Sequence, residues 1–153
     1  MSAIEEKLKS LGFELPHAPP VAGYYLPAVQ TGHLVLTSGQ LPFIGKEIAF
    51  VGKLGANLHE EDGKNAARLC VVNALAQVKN LVGSLDCIRR VVRLEGYVHS
   101  APGFQNQSQV LNAASELLVQ LLGDSGRHVR VAVGVAEMPL NAALQLALWV
   151  EVA

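Results

Sequence analysis

Charge is scarce in this chain. Asp, Glu, Lys and Arg make up only 16% of it, and 12 basic against 13 acidic residues leave a formal net charge of −1. A protein that binds nucleic acid relies on clustered Lys and Arg to displace phosphate counterions. The composition therefore argues against a nucleic-acid partner. Cysteine is also scarce: Cys70 and Cys87 are the only two. They lack metal-ligand spacing and read as reduced, partly buried thiols, as in a cytoplasmic protein. His17, His33, His59, His99 and His128 form no ligand motif with them, so neither a metal nor another cofactor is called for. No apolar run is both long and charge-free enough to cross a bilayer, and a membrane partner is not expected. The opening MSAIEEKLKS is acidic and amphipathic, without the basic and apolar blocks of a secretory signal.

Apolar residues are abundant instead. They make up 50% of 153 residues, which suits one domain with a proper core. For so short a chain, that excess predicts apolar surface buried between subunits.

The clearest pattern lies in the last stretch, His128 to Val152. Val129, Val131, Val133 and Val135 alternate with His128, Arg130, Ala132 and Gly134. Leu144, Leu146, Leu148, Val150 and Val152 alternate with Gln145, Ala147, Trp149 and Glu151. Period-two alternation marks strands with one buried face. Pro139 and Asn141 mark a turn between them. Paired as a hairpin, the strands bring Arg130 near Trp149 and Gln145 near Gly134. One face then carries a guanidinium and a carboxamide over a floor of Ala132, Gly134 and Ala147. Small residues leave room there, and the arginine fork suits a carboxylate or phosphate.

The rest of the chain reads in order. Ser2 to Leu11 has helical spacing and is capped by Gly12; it reads as a peripheral appendage joined by an extended connector over Pro16, Pro19 and Pro20. Tyr24–Val29 and His33–Ser38 are strands about a Thr31-Gly32 turn. Gly39 ends the second, where glycine permits close backbone approach. A further short strand is expected around Ile48 to Val51. His59–Val82 is a long helix with acidic residues in its first turn and Gly83 at its end. Ile88–Val98 is a strand with Val92, Leu94 and Val98 on one face and Val91, Arg93, Glu95 and Tyr97 on the other. Pro102–Leu122 is a second long helix. The predicted fold is α+β: a mixed sheet with two long helices on one face, and an opposite face that needs a partner.

Two blocks then resemble a known family. Tyr25 to Val29 followed by Leu34 to Leu41 is similar to the YxxAV…G…(V/I)xxSGQ(L/I) opening of the YjgF/RidA family. Arg130 to Val135 followed by Met138-Pro139 resembles its RxxVxVxxLP closing block. The end, Glu151-Val152-Ala153, resembles the family's EIEAxA. The resemblance implies a chorismate-mutase-like α+β fold, a homotrimer with an inner barrel, and three clefts between subunits. It further implies binding of a small carboxylate, and in members that are enzymes the hydrolysis of enamines and imines to a 2-oxo acid and ammonia.

The resemblance also assigns roles by position. Arg130 matches the arginine that clamps the substrate carboxylate. Ala132 stands where the family often has a cysteine, Gly39 matches the glycine lining the cleft, and Tyr25 the tyrosine contributed across the interface. Pro139 matches the proline of the cleft wall. Two positions depart from the pattern. Gln145 replaces a glutamate that positions or activates water, and Ser108 falls where deaminases carry an asparagine. A glutamine can orient water but cannot take its proton. Three readings follow: an imine deaminase, a carboxylate-binding module without turnover, and a ribonuclease or translation inhibitor. The near-neutral charge speaks against the third.

Overall fold

The computed structural model describes residues 1–153. In chain order the elements are α1 (Ala3–Ser10), β1 (Ala28–Thr31), β2 (Leu34–Thr37), β3 (Phe43–Ile44), β4 (Glu47–Ile48) and α2 (Glu60–Val82). They continue as β5 (Ile88–His99), α3 (Gln107–Leu122), β6 (Val129–Val135) and β7 (Leu144–Val152). Five strands form one sheet in the order β1-β2-β7-β5-β6, and β3 pairs with β4 alone. All neighbours in the large sheet are antiparallel except β5 and β6, which α3 connects as a parallel pair.

The alternation in β7 decides where the core sits. Leu144, Leu146, Leu148 and Val150 have no exposed surface. They meet the apolar stripe of α2, while α3 covers β5 and β6. Both long helices therefore lie on one face, as their single apolar stripes require. Gly96 in β5 allows the close approach of α3, because a Cβ there would collide with the Leu111 side chain. No helix is long and apolar enough to cross a membrane. Cys70 is buried, Cys87 is half-buried, and both are free thiols.

The structure corrects several expectations. The last two strands do not form a hairpin, because β5 lies between them. Arg130 is opposite Leu94, and Gln145 is opposite Tyr97. Alternation fixes which residues share a face, but not which strand lies alongside. The buried face of β6 is also reversed. Val129 is 61% exposed and Val133 42%, whereas Ala132 packs on the core. The β6 valines thus join Glu95, Tyr97 and Trp149 on the open face of the sheet.

A register shift between Val91 and Arg93 exchanges two valines, so that Val91 is buried and Val92 is not. The second long helix begins at Gln107, five residues after Pro102, and Phe104 packs on the core from the preceding loop. The first strands are shorter than expected, and Tyr24 and Tyr25 lie before β1. The extra strand is a small hairpin, β3–β4, with Val51 bridged to Ala142 beyond it. Finally, α1 is no appendage. Its Leu8 is wholly buried in the main core, and Glu5 meets Lys79 of α2 at 3.0 Å.

Because Leu148 has no exposed surface, Leu148→Ala should cost about 2–5 kcal/mol. Urea denaturation followed by circular dichroism measures this. A loss well under 1 kcal/mol would contradict the placement of the core.

Candidate functional site

Arg130 lies on the edge strand β6, and its side chain turns toward α3. A guanidinium has five N–H donors in a fixed plane. Nη1 donates to Asn112 Oδ1 at 2.9 Å and to Ser115 Oγ at 3.1 Å. Nη2 donates to the Ser108 carbonyl at 3.4 Å. The chain's own groups thus engage three donors. Nε–H and the other Nη2–H remain, and such donors can grip a carboxylate. Burial holds Arg130 below its usual pKa, yet a guanidinium stays charged.

Ser115 is itself held from behind. Its Oγ lies 2.8 Å from His128 Nε2, and His128 Nδ1 lies 2.6 Å from the Gly126 carbonyl. A carbonyl only accepts, so Nδ1 carries the proton. In neutral His128, Nε2 then accepts from the Ser115 hydroxyl. Burial pushes the His128 pKa down, the Arg130 charge pushes it further, and the Gly126 carbonyl works against both.

The rest of this face is filled. Ala132 packs against the core. At Gly134, Gln107 Nε2 and Ser100 Oγ occupy the space a side chain would need, at 2.6 and 2.9 Å from an ideal Cβ. Ala147 is on the other face of the sheet, opposite Glu95. The hollow floor of Ala132, Gly134 and Ala147 therefore does not exist within one chain.

A second group gathers on the open side. Gly39 lies against the Gln145 carboxamide so closely that any side chain at 39 would collide with it. Gln145 Nε2 donates to Met138 Sδ at 3.7 Å. Pro139 begins the tight turn that follows, where Leu140 and Asn141 take positive φ of 58° and 56°. Leu140 pays a steric cost there that asparagine largely avoids. Tyr25 and Gly39 border a small recess of about 40 Å³, and the Tyr25 hydroxyl accepts from the Ala22 N–H at 3.4 Å. Tyr25 is 51% exposed, so most of its ring edge is available to a neighbour.

Residues 5–152 match the family described as "YjgF/chorismate_mutase-like, putative endoribonuclease". The chain belongs to this family. Protein TCP17 of Trypanosoma cruzi is 40% identical over 149 residues, covering 97% of this chain and 93% of that one. Protein Atu1372 of Agrobacterium tumefaciens, of unknown function, matches with a TM-score of 0.92 and 45% identity, over 98% of this chain and 92% of that one. E. coli TdcF with bound serine matches with a TM-score of 0.64 and 23% identity, over 90% and 94%, a likeness of fold. The family resemblance read from the two sequence blocks is therefore correct, and the fold is the chorismate-mutase-like α+β arrangement.

Within that fold the family-derived residues form two clusters rather than one. Arg130, Ala132 and the Ser108 carbonyl lie on the helix side of the sheet. Gly39, Gln145, Tyr25 and Pro139 cluster about the β2 end and the β7 entry. Arg130 and Gln145 project from opposite faces, with β5 between their strands. Glu95, a carboxylate on the same open face as Gln145, is already engaged. It accepts from Trp149 Nε1 at 2.8 Å and Tyr97 Oη at 3.2 Å, and Arg93 Nε lies 3.9 Å away.

Sequence reasoning missed Asn112, Ser115 and His128. A signal for them exists. Ser108, Asn112 and Ser115 are spaced by four and three residues, which places them in one polar row along the helix. His128 and Arg130, two apart in a strand, share a face. The departure at Ser108 also looks different in three dimensions. An asparagine of the second helix does reach the guanidinium, one turn later, at Asn112.

His128 also sets a pH dependence. Its folded pKa lies below the ordinary value of about 6.5. The unfolded chain then binds the proton more readily, so stability rises with pH in that window. The contribution is complete above the unfolded pKa and is lost as pH falls through the folded one. Thermal unfolding of the native protein should weaken from about pH 7 to pH 5, and more steeply than that of His128→Gln. Equal slopes would contradict the assignment.

Proposed function

We propose that the protein is a RidA-like homotrimer that binds a small carboxylate in clefts between its subunits. The observation that carries this reading is the division of the site. One chain holds an arginine with two unspent donors on one side of its sheet, and holds Gly39 and Gln145 on the other, with Tyr25 beside Gly39 at the sheet margin. Three copies joined through their open sheet faces would bring one chain's Arg130 to its neighbour's Gly39 and Tyr25. The open face is suited to association, since it presents Val129, Val133 and Trp149 around the satisfied Glu95 carboxylate. The serine bound by E. coli TdcF agrees with a small amino or oxo acid as ligand. A cytoplasmic setting fits such a metabolite.

In this reading each residue has a physical task. Arg130 grips the carboxylate through Nε and Nη2. Asn112, Ser115 and the Ser108 carbonyl fix the plane of that fork. The backbone at Ala132 and Gly39 approaches the ligand, and Pro139 walls the cleft. Hydrolysis of a 2-imino acid needs a water aimed at the imine carbon and a proton delivered to the departing nitrogen. Gln145 can aim the water but cannot remove its proton. Binding without rapid turnover is therefore the leading reading, and slow imine hydrolysis is the second. RNA cleavage fits a net charge of −1 least well.

Isothermal titration with 2-oxobutyrate tests the binding. Arg130→Ala should weaken it about ten- to a hundred-fold, the worth of a charge-assisted pair, while sedimentation shows an intact trimer. Unchanged affinity, or a monomeric native protein, would sink the proposal. With 2-iminobutyrate generated in place, Gln145→Glu should accelerate hydrolysis about a hundred-fold or more over the native protein. No gain would show that the missing carboxylate is not what limits turnover.

A further inference from the structure

One feature behind Arg130 has no part in the resemblance, namely the chain of hydrogen bonds that ends at His128. It runs from the Gly126 carbonyl through His128 and Ser115 to the guanidinium, with contacts of 2.6, 2.8 and 3.1 Å. Its polarity is determined. Nδ1–H donates to the Gly126 carbonyl, neutral Nε2 accepts from the Ser115 hydroxyl, and Ser115 Oγ accepts from Arg130.

Protonation of His128 reverses one link. Nε2 becomes a donor, and the Ser115 hydroxyl proton must swing away from it. Ser115 Oγ then receives N–H groups from two cations. An anion on the free Nε–Nη2 donors of Arg130 offsets that repulsion. Ser115 also lines an open groove of about 610 Å³ between α2 and α3, so protons exchange readily with solvent.

Other charged groups surround His128, and several are paired; across the groove, α2 contributes Arg68 and Lys64, the latter 4.0 Å from Glu61. Arg127 precedes it and meets Asp124 of the neighbouring turn at 3.3 Å. Glu116 follows Ser115 on α3 and faces the groove. On β5, Arg90 donates to the Arg127 carbonyl at 3.0 Å, and Arg93 is opposite Val129. Arg130 is the charge that acts on His128 directly.

We propose that Ser115 and His128 are positioning residues that couple the Arg130 anchor to pH, so that carboxylate binding takes up a proton at His128. The ligand half of this inference rests on the reading of Arg130 as a carboxylate anchor. The coupling is reciprocal: a carboxylate on Arg130 makes His128 easier to protonate, and protonated His128 tightens the carboxylate.

Two measurements on the full chain test it. The first needs no ligand: the His128 titration followed by NMR. Arg130→Gln should move its midpoint to higher pH, and Ser115→Ala should reduce the effect of Arg130→Gln. A midpoint indifferent to Arg130→Gln would overturn the coupling. The second is titration calorimetry with 2-oxobutyrate in buffers of different ionisation enthalpy. Native protein should bind about five-fold tighter near pH 5 than near pH 8, with proton uptake. His128→Gln and His128→Phe should both bind with little pH dependence while keeping the native circular dichroism. A native pH profile in either well-folded variant would overturn the proposal. Failure of 2-oxobutyrate to bind at any pH would defeat the carboxylate reading and leave the ligand-free titration to judge the coupling.

Discussion

The guanidinium of Arg130 is tied to α3 rather than left in solvent. Asn112 and Ser115 take both Nη1 protons, and the Ser108 carbonyl takes one from Nη2. A long, flexible cation is thereby fixed in one plane before any ligand arrives. The entropic cost of ordering it has already been met in folding. What remains on offer is a pair of donors at the margin of the sheet. That single constraint links the helix, the edge strand and the free donors.

The fold supplies the constraint in two ways. First, the parallel β5–α3–β6 unit lays the helix beside the strand it feeds, so that the polar row of α3 faces the Arg130 side of β6. The approach is close because Gly96 leaves room for Leu111. Second, β6 is an edge strand, with a neighbour on one side only. An unpaired edge invites another chain. Here its outward valines, Val129 and Val133, are too apolar to remain wet at no cost. The apolar valines and the free donors of Arg130 therefore fall on the same margin of the molecule.

Much of this was legible in the sequence, and the failures have physical reasons. The apolar stripes of the two long helices and the leucine alternation of β7 gave their layers correctly, because burial is periodic. The two motif blocks pointed to the family, because Gly39 and Arg130 occupy positions where few residue types fit. The strand order was not legible. Residues 136–143 are long enough to turn back as a hairpin or to skip one strand, and alternation looks the same either way. The β6 valines were read as core because an apolar face left open on the sheet has the same alternation as one buried inside. His128 and Ser115 escaped notice because their partnership spans two elements. Gln145 was placed on the correct face of its strand, but the reversed face of β6 turns Arg130 to the helix side, away from it.

The most direct test of the central claim is a crystal structure of the protein soaked with 2-oxobutyrate. The carboxylate should lie within hydrogen-bonding distance of Nε and Nη2 of Arg130 in one subunit. Gly39 and Gln145 of the adjoining subunit should close the other side. A ligand held within a single chain, or an Arg130 fork left empty at saturating oxo acid, would contradict it.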